Sequence, residues 1–187
     1  ISMKKTAALL LGLAGILSSA QTSSFVFNNY NIYDAVGRLM TCSPTPGLIK
    51  YMYASPNGTF GSYTMPAGIS SSYASFGTTG LAPFPMNMMQ WNVTDPSNTS
   101  NNASYPYNHS FITSTMSAIN EWASFHFTLR DSSGNAIDSY LVGDPAVAIN
   151  AGVTANAYQI GASSGIEAEW FTITTSTGKV TYFSIYP

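Results

Sequence analysis

Charged side chains are scarce in this sequence. Lys, Arg, Asp and Glu make up 7% of the 187 residues, whereas about a quarter of the residues of an average globular protein are charged. Nearly one residue in three is instead Ser, Thr or Asn. With only six basic residues in the whole chain, no basic patch is available for phosphate groups, so the composition argues against nucleic acid as a partner.

Cysteine is almost absent, since Cys42 is the only one. An intramolecular disulfide is therefore excluded. We expect Cys42 to be a small buried side chain, and an intermolecular disulfide is the alternative. Hydrophobic residues (45%) and aromatic residues (13%) are abundant, which argues for a packed core and against disorder. Without a disulfide, the domain depends for its stability on this core, on association with other subunits, or on both.

The first twenty residues have the pattern of a cleaved export signal. Lys4 and Lys5 form a basic start, residues 7–17 form an apolar run, and residues 18–20 are the small residues of a cleavage site. The run is too short to span a bilayer, which needs about twenty apolar residues. We therefore expect residues 1–20 to be a signal peptide. The alternative is a retained hydrophobic N-terminal element, as in a type IV pilin.

Five Asn-X-Ser/Thr sequons are present, and four of them lie between residues 92 and 110. Their acceptor residues are Asn57, Asn92, Asn98, Asn102 and Asn108. Such asparagines are glycosylated in exposed loops of exported proteins. Behind an export signal, the cluster predicts an extracellular protein that carries N-linked glycans, with residues 92–110 forming a surface loop.

Hydrophobic periodicity predicts β-structure in most of the chain. Ala123, Phe125, Phe127 and Leu129 alternate with polar residues and share one face of a strand over 123–130. A turn at residues 131–135 leads to a returning strand over 136–142, and a second hairpin is predicted from residues 166–175 and 179–186. Further predicted strands cover 25–33, 48–54, 86–93 and 153–160.

Other segments have weaker patterns. Residues 55–85 are rich in Gly, Ser, Pro and Tyr and predict long loops with short strands, and residues 114–122 predict a short helix. Seven to nine short strands favour an all-β fold. We expect residues 34–187 to form an immunoglobulin-like antiparallel β-sandwich with long glycosylated loops.

No residue pattern predicts catalysis. Residues 161–165 (Gly-Ala-Ser-Ser-Gly) match the G-x-S-x-G motif, but a strand pattern follows them where that motif requires a helix. His109 and His126 lack partners at the spacing of a metal site or a general base. Glu167 and Glu169 share a strand face, which is more often an exposed acidic face than a glycosidase pair. We expect no enzyme, no cofactor and no metal.

Residues 21–33 have two interpretations. They can be the first strand of their own domain, or a donor strand that completes the sheet of a neighbouring subunit through main-chain hydrogen bonds and alternate side chains in pockets. The side chains of this assembly strand are Phe25, Val26, Phe27, Tyr30 and Ile32. We interpret the many aromatic residues as core and subunit interface, with a platform for sugars as the alternative.

The export signal, the sequon cluster at 92–110, the surface rich in Ser, Thr, Asn and Tyr and the β-only pattern resemble those of archaeal extracellular filament subunits. In the thread and bundling-pilus kind, each subunit donates an N-terminal strand to the next. The resemblance implies a glycosylated, non-catalytic building block that polymerises with identical subunits at the cell surface. The alternatives are a type IV pilin-like subunit, or a monomeric extracellular adhesin or carbohydrate-binding module that contacts surfaces or sugars.

Overall fold

The computed structural model describes residues 22–48, 50–55, 63–77 and 90–187, which form two β-sheets packed as a sandwich. The predicted signal peptide (1–20) and Asn57 lie outside the described residues. Strands account for 52% of the described residues and helices for 14%. The prediction of an all-β sandwich is therefore confirmed.

Twelve strands and five short helical segments are present in the described residues. The strands are β1 (Thr22–Asn29), β2 (Asp34–Cys42), β3 (Tyr51–Ser55), β4 (Tyr63–Met65), β5 (Ser70–Tyr73), β6 (Gln90–Thr94), β7 (Ala103–Pro106), β8 (Glu121–Arg130), β9 (Ala136–Gly143), β10 (Tyr158–Ile160), β11 (Glu167–Thr174) and β12 (Gly178–Tyr186). The helical segments are Thr99–Asn101, Phe111–Met116, Ser117–Ile119, Pro145–Ala148 and Ile149–Ala151.

The two sheets differ in size. One has the strand order β10-β11-β12-β1-β5, and the other has the order β7-β6-β3-β2-β8-β9, with β4 also paired to β2. All the described strand pairs are antiparallel except one, because β1 runs parallel to β12. The sheets are thus rich in antiparallel pairs, as expected, and the one parallel pair joins the first and the last of the described strands.

Both predicted hairpins are confirmed, as β8–β9 and β11–β12. The predicted face of β8 needs one correction. The register between β2 and β8 shifts after Met40, so that Ser124 pairs with Met40 and Trp122 pairs with Thr41. This β-bulge turns Ala123 away from Phe125 and places Trp122 in the core between the sheets instead.

Aromatic side chains dominate the core between the sheets. The ring of Trp122 lies 4.7 Å from Phe25, 4.9 Å from Phe76 and 5.8 Å from Trp91, measured between ring centroids. Each such pair stabilises the fold by about 0.5–1.5 kcal/mol beyond the burial of its area. Because Phe25 belongs to one sheet and Trp91 and Trp122 to the other, this cluster joins the two layers.

Cys42 belongs to a smaller cluster on the outer side of the larger sheet, beneath the segment Pro145–Ala148. Its thiol is 1% exposed and donates a hydrogen bond to the carbonyl oxygen of Val147 at 2.9 Å. Burial raises the pKa of the Cys42 thiol to about 12, so the thiol is neutral at physiological pH. The prediction of a buried cysteine is confirmed.

Two segment predictions are corrected. The helix predicted over 114–122 begins earlier, as a π-helical segment at Phe111, and ends at Ile119, because Trp122 already belongs to a core strand. The sequon stretch 92–110 is not one loop, since it contains the end of β6 and all of β7. Among the described residues, no helix is both long and apolar enough to cross a membrane.

Candidate functional site

β1 lies in the interior of the five-stranded sheet, although it is the first strand of the described residues. It pairs with β12 along its whole length and with β5 from Phe25 to Asn28. Phe25 and Phe27 are fully buried, whereas Val26 and Asn28 are partly exposed on the outer face. The structure therefore places residues 22–29 in their own domain, in a slot between β5 and β12.

Aromatic side chains line the inner wall of this slot. The ring of Phe25 lies 4.7 Å from that of Trp122 and 5.4 Å from that of Trp170. The indole Nε1 of Trp122 donates a hydrogen bond to the carbonyl oxygen of Ser23 at 3.0 Å. Main-chain pairing on both edges and pockets for alternate side chains are the two elements of strand addition.

A four-residue connection, which we call the hinge (residues 30–33), joins β1 in one sheet to β2 in the other. The Nδ2 of Asn29 donates to the carbonyl oxygens of Tyr33 at 2.8 Å and Pro66 at 3.0 Å, and its Oδ1 accepts from the amide of Asn31 at 3.1 Å. Asn31 donates in turn to the carbonyl oxygen of Tyr186 at 3.3 Å. Two buried asparagines thus fix the chain where it changes sheets.

The hinge corrects the predicted extent of the assembly strand. Tyr30 and Ile32 were expected to continue the strand, but β1 ends at Asn29. They lie in the hinge and are 55% and 80% exposed. Residues 28, 29 and 31 are asparagines. Because Asn side chains form hydrogen bonds with nearby backbone in turns, these residues could have indicated from the sequence that β1 ends here.

The structure separates the predicted glycosylation sites into two groups. Asn98, Asn102 and Asn108 are exposed, whereas Asn92 is 1% exposed within β6. The Oδ1 of Asn92 accepts a hydrogen bond from the hydroxyl of Ser104 on the neighbouring β7. The expectation that Asn92 lies in an exposed loop is therefore wrong.

Asp95 fixes the corner that presents the exposed sequons. Its carboxylate accepts hydrogen bonds from the amides of Ser97 at 3.1 Å and Asn98 at 3.3 Å and from the Nδ2 of Asn101 at 3.1 Å. The side-chain hydrogen bonds from Ser97 and Asn101 hold the pKa of Asp95 well below its usual range. The Nζ of Lys50 lies 3.6 Å from Oδ2 of Asp95. Donors from several parts of the corner therefore converge on one carboxylate.

A cleft of about 440 Å³ opens beside this corner. Aromatic rings and polar groups share its wall, including Lys50, Asp95, Asn101, Asn102, Tyr105 and Phe111. Such a wall offers ring faces and hydrogen-bonding groups to a polar ligand. Among the described residues that line it, Asp95 is the single carboxylate and there is no histidine.

We expect mass spectrometry of glycopeptides from the exported protein to find no glycan on Asn92. A glycan is attached to Nδ2, which has less than 1 Å² of exposed surface at this residue, so a modified Asn92 is incompatible with the β6–β7 pair. Asn98, Asn102 and Asn108 provide the matched comparison within the same stretch. A fully occupied Asn92 in folded protein would contradict the placement of β6.

The G-x-S-x-G residues form a loop between β10 and β11, with no helix after them. The carboxylate of Asp138 accepts hydrogen bonds from the amide of Ser164 at 2.8 Å and from its hydroxyl at 2.6 Å. The bond from the Ser164 hydroxyl is the largest of the effects that lower the pKa of Asp138. The polar groups of this loop hold its shape, and Ser163 has no adjacent histidine base.

The other side chains considered for catalysis or metal binding lie on different parts of the fold. His126 lies on the exposed face of β8 opposite Arg38, whereas His109 precedes the helical segment at Phe111. Glu167 and Glu169 lie on β11 and pair across to β12. No group of three or more His, Cys, Asp or Glu side chains within the described ranges could hold a metal ion.

No family model, curated protein or solved structure matches the chain. Function is therefore inferred from the geometry of the chain itself.

Proposed function

We propose that this chain is a non-catalytic subunit of an extracellular, N-glycosylated filament. In the filament, β1 of one subunit fills the slot between β5 and β12 of the next. The observation that carries the proposal is the position of β1, which is an interior strand of its sheet and the first strand of the described residues. After the predicted cleavage behind Ala20, only Gln21 would precede it.

A terminal strand can leave its sheet and enter another without threading the chain through a loop. In the exchanged state, β1 would make the same hydrogen bonds and the same aromatic contacts with the next subunit. Exchange of identical elements between protomers is a low-cost route to assembly. Because each subunit would give a strand to one neighbour and receive one from another, the contact is head-to-tail and leads to an open fibre.

The hinge has the length and the surface that exchange requires. Fully extended, the chain from Asn29 to Asp34 spans at most about 17 Å, which is enough to cross between two touching domains. Ile32 is 80% exposed and Tyr30 is 55% exposed in the single subunit. Both would lie where two subunits meet, and full burial of such a side chain stabilises a contact by about 1.5–3 kcal/mol.

The surface chemistry supports an extracellular location. Asn98, Asn102 and Asn108 are exposed on one stretch of the chain, where glycans would supply the solubility that the few charged residues do not. The chain has no disulfide to stabilise it outside the cell. Strand exchange along a fibre would supply stability through the contacts between subunits.

A pair of engineered cysteines tests the proposal. Val26 on β1 is directly opposite Ser72 on β5, and both face outwards. The Cα separation in such pairs, about 4.5–5.5 Å, is compatible with a disulfide. In fibres of the Val26→Cys/Ser72→Cys protein, oxidation is expected to link neighbouring subunits and to give a ladder of covalent multimers on a non-reducing gel.

The matched control is Phe171→Cys/Tyr182→Cys. These positions face each other within the β11–β12 hairpin, so their disulfide stays inside one subunit in every assembly. Fibres that release only monomers from the Val26→Cys/Ser72→Cys protein would rule out strand exchange. Dispersed monomers at all concentrations would rule out the filament and favour the monomeric binding module.

A further inference from the structure

The cleft beside Asp95 has a predicted glycan acceptor in its wall. Of the three exposed acceptors in the described ranges, Asn102 lines this cleft, whereas Asn98 and Asn108 are not among its lining residues. Asn102 directly precedes β7, which lies at the end of the strand order of the larger sheet. A sugar on Asn102 would therefore leave the chain beside a cavity.

The side chain of Asn102 is already oriented by a hydrogen bond. Its Oδ1 accepts from the amide of Asp95 at 2.8 Å. Because a glycan is attached to Nδ2, this bond can remain after modification. The linked amide group is planar, as a peptide bond is. The hydrogen bond to Oδ1 therefore restricts the directions in which the first sugar can leave Nδ2.

Two aromatic rings form the apolar part of the cleft wall. The ring centroids of Tyr105 and Phe111 are 5.0 Å apart, and the ring of Tyr105 also lies 4.9 Å from that of His109. Tyr105 and Phe111 are partly buried and pack against the core between the sheets, so they are held in place before a ligand binds. A sugar ring presents C–H groups on its faces, and the negative face of an aromatic ring attracts such groups.

Polar groups lie beside these rings. The Nζ of Lys50 lies 3.6 Å from Oδ2 of Asp95 and keeps further N–H donors. The Nδ2 of Asn101 donates to Asp95 at 3.1 Å, and its Oδ1 accepts no hydrogen bond from the described residues. Sugar hydroxyl groups both donate and accept, so they match an ammonium group beside an amide oxygen. Because Lys50 and Asp95 offset each other's charge, the wall favours an uncharged ligand.

We propose that the cleft binds the first sugars of the glycan on Asn102, with the face of a sugar ring against Tyr105 and Phe111. The inference rests on the proposed N-glycosylation and goes beyond it, because it gives one glycan a structural role. The cleft volume of about 440 Å³ lies in the range of small-molecule sites, about 300–1,000 Å³. The covalent bond holds the sugar beside the wall at a high effective concentration, so weak contacts are enough to keep it bound.

A sugar bound in this way would stabilise β7. The strand runs from Ala103 to Pro106 and, within the described part of the chain, pairs with β6 alone. The sugar would be attached just before the strand at Asn102 and would contact its third residue, Tyr105. Its loss would therefore remove contacts from a strand that is paired on one side only. Glycans on Asn98 and Asn108 would not have this effect.

Thermal unfolding of Asn102→Gln tests the role of this glycan. The variant is measured in exported protein and in protein made without glycosylation, where it reports only the loss of the hydrogen bond to Asp95. We expect the melting temperature to fall by about 2–4 °C more in the exported form, the shift that the loss of a few weak contacts produces in a domain of this size. Asn108→Gln is the matched control, since it removes a glycan from outside the cleft and is expected to lower both forms equally.

Mass spectrometry of glycopeptides from the exported protein separates this inference from the proposed function. An equal effect of Asn102→Gln in both forms would overturn the inference. So would an Asn102 without a glycan in protein that carries one on Asn98 or Asn108, and either result would leave the glycosylated filament in place. A protein without glycans at all three residues would overturn the proposed N-glycosylation as well.

A double-mutant cycle tests the contact with the aromatic wall. Tyr105→Leu keeps an apolar side chain and the sequon at residues 102–104 but removes the ring. The difference in melting temperature between the exported and the unglycosylated form is expected to be largely lost in this variant. It is expected to persist in Tyr107→Leu, because Tyr107 also packs against the core but is not among the lining residues of the cleft. An equal difference in both variants would contradict contact between the sugar and Tyr105.

Discussion

A chain that begins at Tyr30 is expected not to fold alone and to fold when a synthetic peptide of residues 22–29 is added. Without β1, the slot between β5 and β12 exposes the core that Phe25 and Phe27 now fill. Loss of one buried phenylalanine side chain typically costs about 3–5 kcal/mol, and the whole stability of a domain is about 5–15 kcal/mol. Loss of two phenylalanines and of the pairing on both edges exceeds what the remaining contacts can supply.

Near-ultraviolet circular dichroism follows the packing of the aromatic core, and calorimetry measures the binding of the peptide. The control peptide carries Phe25→Ser and Phe27→Ser, which keeps every main-chain donor and acceptor but removes the two side chains that fill the slot. It is expected to restore little structure. A truncated chain that is already folded, or equal rescue by both peptides, would contradict the role of β1 as the element that completes the core.

Rescue by a separate peptide would also bear on assembly. It would mean that the slot accepts a strand that is not covalently attached to the same domain, which is the step that a strand-exchanged filament needs. The hydrogen bonds of Asn29 and Asn31 hold the hinge in the single subunit. Substitution of these asparagines therefore provides a way to change the balance between the closed and the exchanged state without altering the slot.

The parts of the fold that the sequence predicted are those with local signals. β8 and β9 were found from strict alternation and a turn, and β11 and β12 from β-branched and aromatic residues around a Ser-Thr-Gly turn. β4 and β5 have only three and four residues, which is too short for periodicity to identify. The parallel pair of β1 and β12 joins residues more than 150 positions apart, and no local pattern encodes such a contact.

The difference between local sequence signals and contacts of distant residues also applies to the candidate site. The sequence predicted a strand that contains Phe25 and Phe27, and both are buried on its inner face, because the period of a strand is a local property. The sequon pattern identified Asn92 as an acceptor but carries no information on burial. Trp91 and Val93 flank Asn92 and are both buried, and this apolar alternation was the signal for a strand. The bulge at Ala123 depends on how β8 fits against β2, so it has no counterpart in the sequence of β8 alone.

Trp122→Ala is expected to destabilise the domain by about 3–5 kcal/mol, the range for loss of a large buried aromatic side chain. Trp122 is 1% exposed and contacts Phe25 in one sheet and Trp91 in the other, so its loss leaves a cavity where the two layers meet. Urea unfolding followed by circular dichroism measures the change. Phe171→Ala, at a partly exposed position, is the control and is expected to change the free energy of unfolding much less.

Trp122→Phe separates packing from hydrogen bonding at the same position. Phenylalanine keeps most of the ring but removes the Nε1 donor, which leaves the buried carbonyl oxygen of Ser23 without this partner. An unsatisfied buried group costs about 1–3 kcal/mol, so Trp122→Phe is expected to lie between Trp122→Ala and the unaltered chain. Because Ser23 belongs to β1, this variant should also weaken the binding of the β1 peptide to the truncated chain. A loss of stability without weaker peptide binding would mean that Trp122 stabilises the core but does not contribute to the binding of β1 in its slot.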